Sequence, residues 1–220
     1  MPFQSLHSWQ VTAQEAILIQ ESLRDQVIFE DRFGAIKTVA GIDVGFEQGG
    51  TITRAAVVVL HYPGLELVET SVIRSPTAFP YIPGLLSFRE APAVLEAIER
   101  LEALPDLLMC DGQGFAHPRR LGLASHLGLW TGLPSIGAAK SRLIGQHEPV
   151  GERGGDWQPL WDGGELIGAA LRTRPGAKPL YISTGHRIGL ETAISMVLDC
   201  TRAYRLPEPT RQAHRLASLR

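Results

Sequence analysis

The sequence predicts an α/β protein built on a mixed sheet, an antiparallel meander followed by parallel strands, with helices on both faces. Three observations carry this. Apolar, β-branched runs at 38–46, 53–62 and 65–74 follow one another with only Gln48-Gly49-Gly50 and Pro63-Gly64 between them, and both connectors form turns. After them, helical and strand-like stretches alternate, the order expected of crossover connections. The composition, 44% hydrophobic and 20% charged over 220 residues, is that of a globular chain able to bury a full core. We expect one domain spanning 1–220.

Thr12 with Glu15 forms a capping box, and Ala16, Ile19, Leu23 and Val27 recur at helical spacing. This predicts an amphipathic helix to about Phe29, packed outside the sheet. The meander follows. Then SPTAFPYIPGLLSFRE breaks the pattern with Pro76, Pro80, Pro83 and Gly84 and strands Tyr81 and Ile82 between prolines, so it reads as a stiff loop presenting an aromatic. A helix is expected over about 90–104, with Pro92 tolerated in its first turn and Val94, Leu95, Ile98 and Leu101 as its buried stripe. Next come a buried strand at 106–111, a loop through Arg120, a helix at 121–129 and a strand at 134–139 that runs into Lys140. The Gly-, Pro- and charge-rich stretch 143–162 reads as an exposed insertion. Strands at 166–172 and 180–183, a helix at 189–204 and a short terminal helix complete the chain.

Several classes are excluded. No apolar run approaches the ~20 residues that span a bilayer, and the N-terminus lacks the basic and apolar regions of a signal peptide, so the expectation is a cytoplasmic protein without membrane contact. Cys110 and Cys200 have no CxxC spacing, which argues against a disulfide scaffold or a zinc site. Net charge is -2, yet only Lys37, Lys140 and Lys178 are lysines, and the tail carries Arg202, Arg205, Arg211, Arg215 and Arg220 against Glu208 alone. A locally basic surface on a nearly neutral protein is compatible with nucleic acid.

The chemistry centres on carboxylates in apolar settings. Asp43 interrupts the strand KTVAGIDVGF, and a lone buried carboxylate is costly unless a cation neutralises it. Asp111 lies at the carboxyl end of a strand reached through a helical crossover. If the two strands are neighbours, their carboxylates meet at one sheet edge, where Glu90 can lean over the same point. Three carboxylates there suit Mg2+, which takes oxygen ligands at ~2.1 Å and leaves positions for water and a phosphate oxygen. Such an ion polarises a phosphodiester and lowers the pKa of the attacking water. Lys140 would add positive charge or orient the water. Taken singly, Asp43 also reads as a satisfied structural acid, Asp111 as a turn former and Glu90 as a helix N-terminal carboxylate favoured by the dipole.

GIDVGF, PYIPGLLSFRE, DGQGFAHPRR from Asp111 to Arg120, GAAKS around Lys140 and RLPEPTRQAH ending at His214 together resemble the endonuclease V family, in family order along almost the whole chain. The resemblance implies a ribonuclease H-like fold and a Mg2+-dependent nuclease, with Mn2+ able to substitute. It implies cutting at the second phosphodiester 3' to deaminated adenine, leaving 3'-hydroxyl and 5'-phosphate. It also implies that Asp43, Glu90 and Asp111 hold metal, that Lys140 assists and that His214 completes the centre. Pro80, Tyr81, Ile82 and Pro83 would form a wedge filling the space left by a flipped base. Gly84 and Gly112 would wall its pocket, and His117, Arg119 and Arg120 would contact phosphates. The partners implied are inosine-containing DNA, with inosine-containing RNA as a second candidate, acted on by a monomer. Two other readings compete: a sugar kinase or actin-like ATPase, whose first hairpin also carries an acid in a GIDxG string, and a nucleic-acid-binding module without catalysis.

Overall fold

The computed structural model describes residues 3–218; Arg220 of the basic tail lies outside them. Eight strands form one sheet in the order β3-β2-β1-β4-β5-β8-β7-β6. The meander is β1 (Thr38–Glu47), β2 (Ile52–His61) and β3 (Leu67–Pro76), all antiparallel. β4 (Leu107–Cys110) joins β1 in parallel and β5 (Ser135–Ala139) joins β4 in parallel. β8 (Leu180–His186), β7 (Glu165–Leu171) and β6 (Trp157–Asp162) extend the sheet antiparallel on the far side of β5. The mixed sheet expected from the sequence is therefore present, with two additions.

The first is β6. The stretch 143–162 is an exposed insertion only in its first part, because Trp157–Asp162 pairs with β7 across the two-residue turn Gly163-Gly164, both at positive φ. That pair is a hairpin signal in its own right, since only glycine adopts such a turn at no steric cost. The second is the length of α2, which runs Leu86–Glu99 rather than 90–104. It starts four residues before Glu90, so Pro92 sits inside the helix and Glu90 is buried in its second turn, not a solvated N-terminal carboxylate. The apolar stripe outweighs the lost proline N–H: Phe88, Ala91, Val94, Leu95 and Ile98 are all buried.

The helices divide between the faces. α2 and α3 (Leu123–Thr131) cover one, where Ala40, Ile42, Ala55, Val57, Leu108 and Cys110 meet Val94, Ile98, Ala124 and Leu127. α4 (Leu190–Asp199) covers Leu107, Met109, Ile136, Ala138 and Ile182 on the other, and α5 (Glu208–Ala217) packs beside it on β1 and β2. α1 (Ala13–Leu23) ends earlier than its apolar period and continues as one 3-10 turn, Arg24–Gln26. Its capping box is formed, with Glu15 N–H donating to Thr12 Oγ1 and Thr12 N–H to Glu15 Oε2. It packs outside the sheet, Ala16 meeting Phe79, Leu85 and Phe88. Cys110 and Cys200 are buried and free. No helix among the described residues is long and apolar enough to cross a membrane.

Candidate active site at the carboxyl ends of the parallel strands

Strand alternation puts Val39, Gly41, Asp43 and Gly45 on one face of β1, toward α4 and α5. The two glycines flanking Asp43 decide what covers it. A Cβ on Gly41 would lie 2.0 Å from the backbone carbonyl of Pro209, and one on Gly45 would lie 2.2 Å from the carbonyl oxygen of Ala217. Helix α5 thus rests on bare backbone at both points and carries His214, which lies between them in the helix, onto Asp43. His214 Nδ1 is 2.5 Å from Asp43 Oδ2. The carboxylate only accepts, so in this contact Nδ1 carries the proton, and among the described residues Nε2 has no hydrogen-bond partner.

β4 continues the same logic. Ile42 pairs with Cys110 in parallel register, and Asp111 N–H donates to Ile42 O at 2.9 Å, which sets Asp111 beside Asp43 one residue beyond the ladder. Lys140 follows β5 on the same side. Its Nζ pairs with Asp111 Oδ2 and lies 3.9 Å from Asp43 Oδ2 and 3.2 Å from His214 Nδ1. Asp43, Asp111 and His214 each present one ligand atom within 4.8 Å of the others.

Glu90 approaches from the opposite face, on α2. It is outside that close triad, but the charges register it: burial first, then Asp43 and Asp111, push its carboxyl from the ordinary 4.5 up to about 8. Asp111 is also raised, by burial and then Asp43, against the lowering pull of Lys140. Buried carboxylates that raise one another's pKa are a cation site in electrostatic terms. The Lys140 ammonium already stands where positive charge is needed, so the carboxylate donor set fits a hard divalent ion.

A second element borders this centre. The loop before α2 and the turn after β4 enclose a cavity of about 140 Å³ lined by Tyr81, Ile82, Pro83, Gly84, Glu90 and Gly112, among others. Tyr81 is 70% exposed, so most of its surface is open to solvent at the edge of this cavity. Gly84 is at φ +79, a conformation that glycine adopts without strain, and its carbonyl is a hub. It accepts from Gln20 Nε2 at 3.0 Å, His117 Nε2 at 3.0 Å and Arg119 Nη2 at 2.6 Å.

That hub changes the assignment of the basic loop. His117 is buried, and burial followed by Arg119 lowers its imidazole to about 4, so it is a neutral donor to Gly84, not a cation for phosphate. Arg119 donates to Gln20 and Gly84, and Arg120 pairs with Asp162 and Glu165. The sequence suggested phosphate contacts here; the structure places all three groups in internal bonds that brace the loop. Gln20 went unnoticed in the sequence because a glutamine on an amphipathic helix gives no signal. It is fully buried in α1 and joins Gly84 to Leu121. Gly41 and Gly45 were missed as well, although the pattern GxDxG on a strand marks a close approach.

The sequence profile of endonuclease V matches residues 21–215. Endonuclease V of Trichormus variabilis is 60% identical over 215 residues, covering 97% of each chain. The chain belongs to the endonuclease V family. Among solved structures, endonuclease V of Streptomyces avermitilis superposes with a TM-score of 0.90 at 43% identity, covering 96% of this chain and 93% of that one. The catalytic domain of human endonuclease V does so with a TM-score of 0.86 at 34% identity, covering 93% of each. A variant of Ciona intestinalis endonuclease V in complex with a 23mer DNA containing an inosine followed by a ribo-adenosine gives a TM-score of 0.83 at 30% identity, covering 94% of this chain and 97% of that one. With the family established, the fold is ribonuclease H-like and the sugar-kinase reading is set aside.

Proposed function

We propose that this endonuclease V recognises hypoxanthine in DNA and, with Mg2+ or Mn2+ bound, hydrolyses the second phosphodiester on its 3' side to leave 3'-hydroxyl and 5'-phosphate. The observation that carries the reading is the meeting of Asp43, Asp111 and His214 within 4.8 Å beside a cavity walled by Tyr81, Gly84 and Gly112. The DNA complex of the Ciona relative, which contains an inosine, supports the substrate. Inosine-containing RNA presents the same base and is a second substrate to test.

Asp43 and Asp111 would hold the ion, with Glu90 reaching it from the α2 face. The ion supplies charge against the scissile phosphate and acidity to the attacking water. His214 keeps Nε2 free at the site while Nδ1 is anchored on Asp43, so it can take up or relay a proton. Lys140, paired with Asp111, would offer its ammonium to the phosphate and stabilise the charge of the pentavalent state.

Tyr81, held between Pro80 and Pro83 and followed by Ile82, is assigned as the wedge that stacks in the place of the extruded base, limiting an unstacking cost of a few kcal/mol. The backbone of Gly84 and Gly112 lies against the base in its cavity, where no Cβ intervenes. His117 and Arg119 hold this loop rather than the strand.

The test is a gel assay on paired duplexes differing by one inosine, with Mg2+, Mn2+ or chelator, using wild type and Asp43→Ala. Metal-dependent nicking one nucleotide beyond the inosine, lost in the variant, is the expected result. Lesion binding without nicking in any metal would overturn it in favour of a binding module.

A further inference from the structure

The tail arginines do not all serve the site already described, and one exposed aromatic stands among them. Tyr204, in the connection from α4 to α5, is 55% exposed, and the Arg211 guanidinium lies over one face of its ring, 4.6 Å from the centroid. Arg211 is itself fixed by a bidentate pair with Glu208, at 2.9 and 2.6 Å. The ring is thus braced on one face by a fixed guanidinium and more than half exposed.

Its surroundings are cationic. Arg174 and Lys178, whose segment bonds to residues 203 and 205, and Arg202 are exposed. Arg174 donates to Ala203 O, Arg202 to Asp199 O and Pro63 O, and Arg205 to Lys178 O and Lys140 O. These acceptors are neutral carbonyls, and among the described residues none of the four cations is in a salt bridge, so their charge stays available to phosphates. Two contacts tie the patch to the reaction centre: Arg211 precedes His214 by one helical turn on α5, and Arg205 braces the carbonyl of Lys140.

We propose that Tyr204 is a base-stacking platform for a nucleotide of the cleaved strand on the 3' side of the scissile bond, with Arg174, Lys178 and Arg202 along its backbone. The inference rests on the proposed function: the base lies in the cavity by Tyr81, the scissile phosphate at Asp43 and Asp111, and the strand continues past His214 toward Arg211 and Tyr204. Stacking tolerates any base, so this contact adds affinity without sequence preference.

The experiment measures binding in chelator of two inosine-containing oligonucleotides, one with a long 3' arm and one ending one nucleotide beyond the scissile bond. Wild type should prefer the long arm by roughly tenfold, the scale of one aromatic–base stack. Tyr204→Ala should lose most of that preference, keeping only what the backbone contacts of Arg174, Lys178 and Arg202 add, while holding the short strand like wild type, and Tyr204→Phe should restore it. A Tyr204→Ala protein that keeps the long-arm preference, or that weakens equally on both strands, overturns the proposal. If wild type binds inosine strands no better than adenine controls, the proposed function itself fails, which is a separate result.

Discussion

His214 Nδ1 and Asp43 Oδ2 lie 2.5 Å apart across 171 residues of sequence, and the contact exists because Gly41 and Gly45 leave the backbone of β1 bare on either side of the aspartate. The sheet thus supplies the carboxylates and a helix laid directly on it supplies the imidazole. Each partner can be tested separately.

Removing the imidazole should leave the fold intact, since the His214 side chain is 45% exposed. His214→Ala is expected to lower kcat by about 10²-fold or more, the range of a positioned proton-transfer group, with KM little changed. Steady-state kinetics on an inosine duplex checks this.

Moving the helix should do the same by another route. Gly41→Ala places a methyl 2.0 Å from the Pro209 carbonyl, so α5 must shift. We expect a loss of about 1–3 kcal/mol in stability, the usual cost of overpacking, together with a fall in kcat in the protein that remains folded. Urea unfolding and kinetics on the same preparation measure both; full kcat would show that α5 does not position His214.

Tyr81→Ala should scarcely affect stability because the ring is exposed. It should reduce the preference for inosine over adenine duplexes by about 1–3 kcal/mol, the worth of an aromatic–base stack. Competition binding reads this directly, and unchanged discrimination would remove the wedge.

Stability of the metal-free protein should fall on both sides of an optimum. His117 and His186 are lowered to about 4 and His126 to about 3, in each case chiefly by burial. Their contribution is full above the ordinary 6.5 and is lost as pH falls toward the folded values, because the unfolded chain protonates first. Glu90 has the opposite sign: raised from 4.5 to about 8, it contributes fully below 4.5 and loses that contribution as pH rises through 8. Each group changes stability by roughly 1.4 kcal/mol per pH unit within its window. Urea titrations should show Glu90→Gln flattening the alkaline limb and His126→Gln the acid limb.

Adding Mg2+ should raise the unfolding temperature, and chelator should reverse the rise, since an ion bound only by the folded state stabilises it by about 2.7 kcal/mol at 100 times Kd. Asp43→Ala should abolish the shift. An equal shift in the variant would place the ion elsewhere.

The meander, the parallel strands and the acids were legible because alternation and turn chemistry are local: GIDVGF announces a buried strand with one misplaced charge, and Pro63-Gly64 a reversal. Asp43, Glu90, Asp111, Lys140 and His214 are the candidates the sequence offers, but the meeting of Asp43, Asp111, Lys140 and His214 rests on the β1–β4 pairing and the α5 contact, which are tertiary. What escaped has physical reasons. α2 begins at Leu86 because burial of Phe88 and Ala91 outweighs a proline that reads as a boundary. β6 was obscured by the charge and glycine around it. That His117 and Arg119 brace Gly84 together with Gln20, 99 residues before Arg119, is a tertiary fact that no spacing rule announces.

The carbonyl of Gly84 is held by side chains from α1 and the 117–119 loop, whereas Asp43 and Asp111 are held by strands. On the proposed assignment the lesion grip and the metal centre have separate supports but meet at Glu90 and Gly112, which line the cavity and stand beside the acids. On that assignment a change at Asp43 would remove cutting and leave the grip on inosine in place.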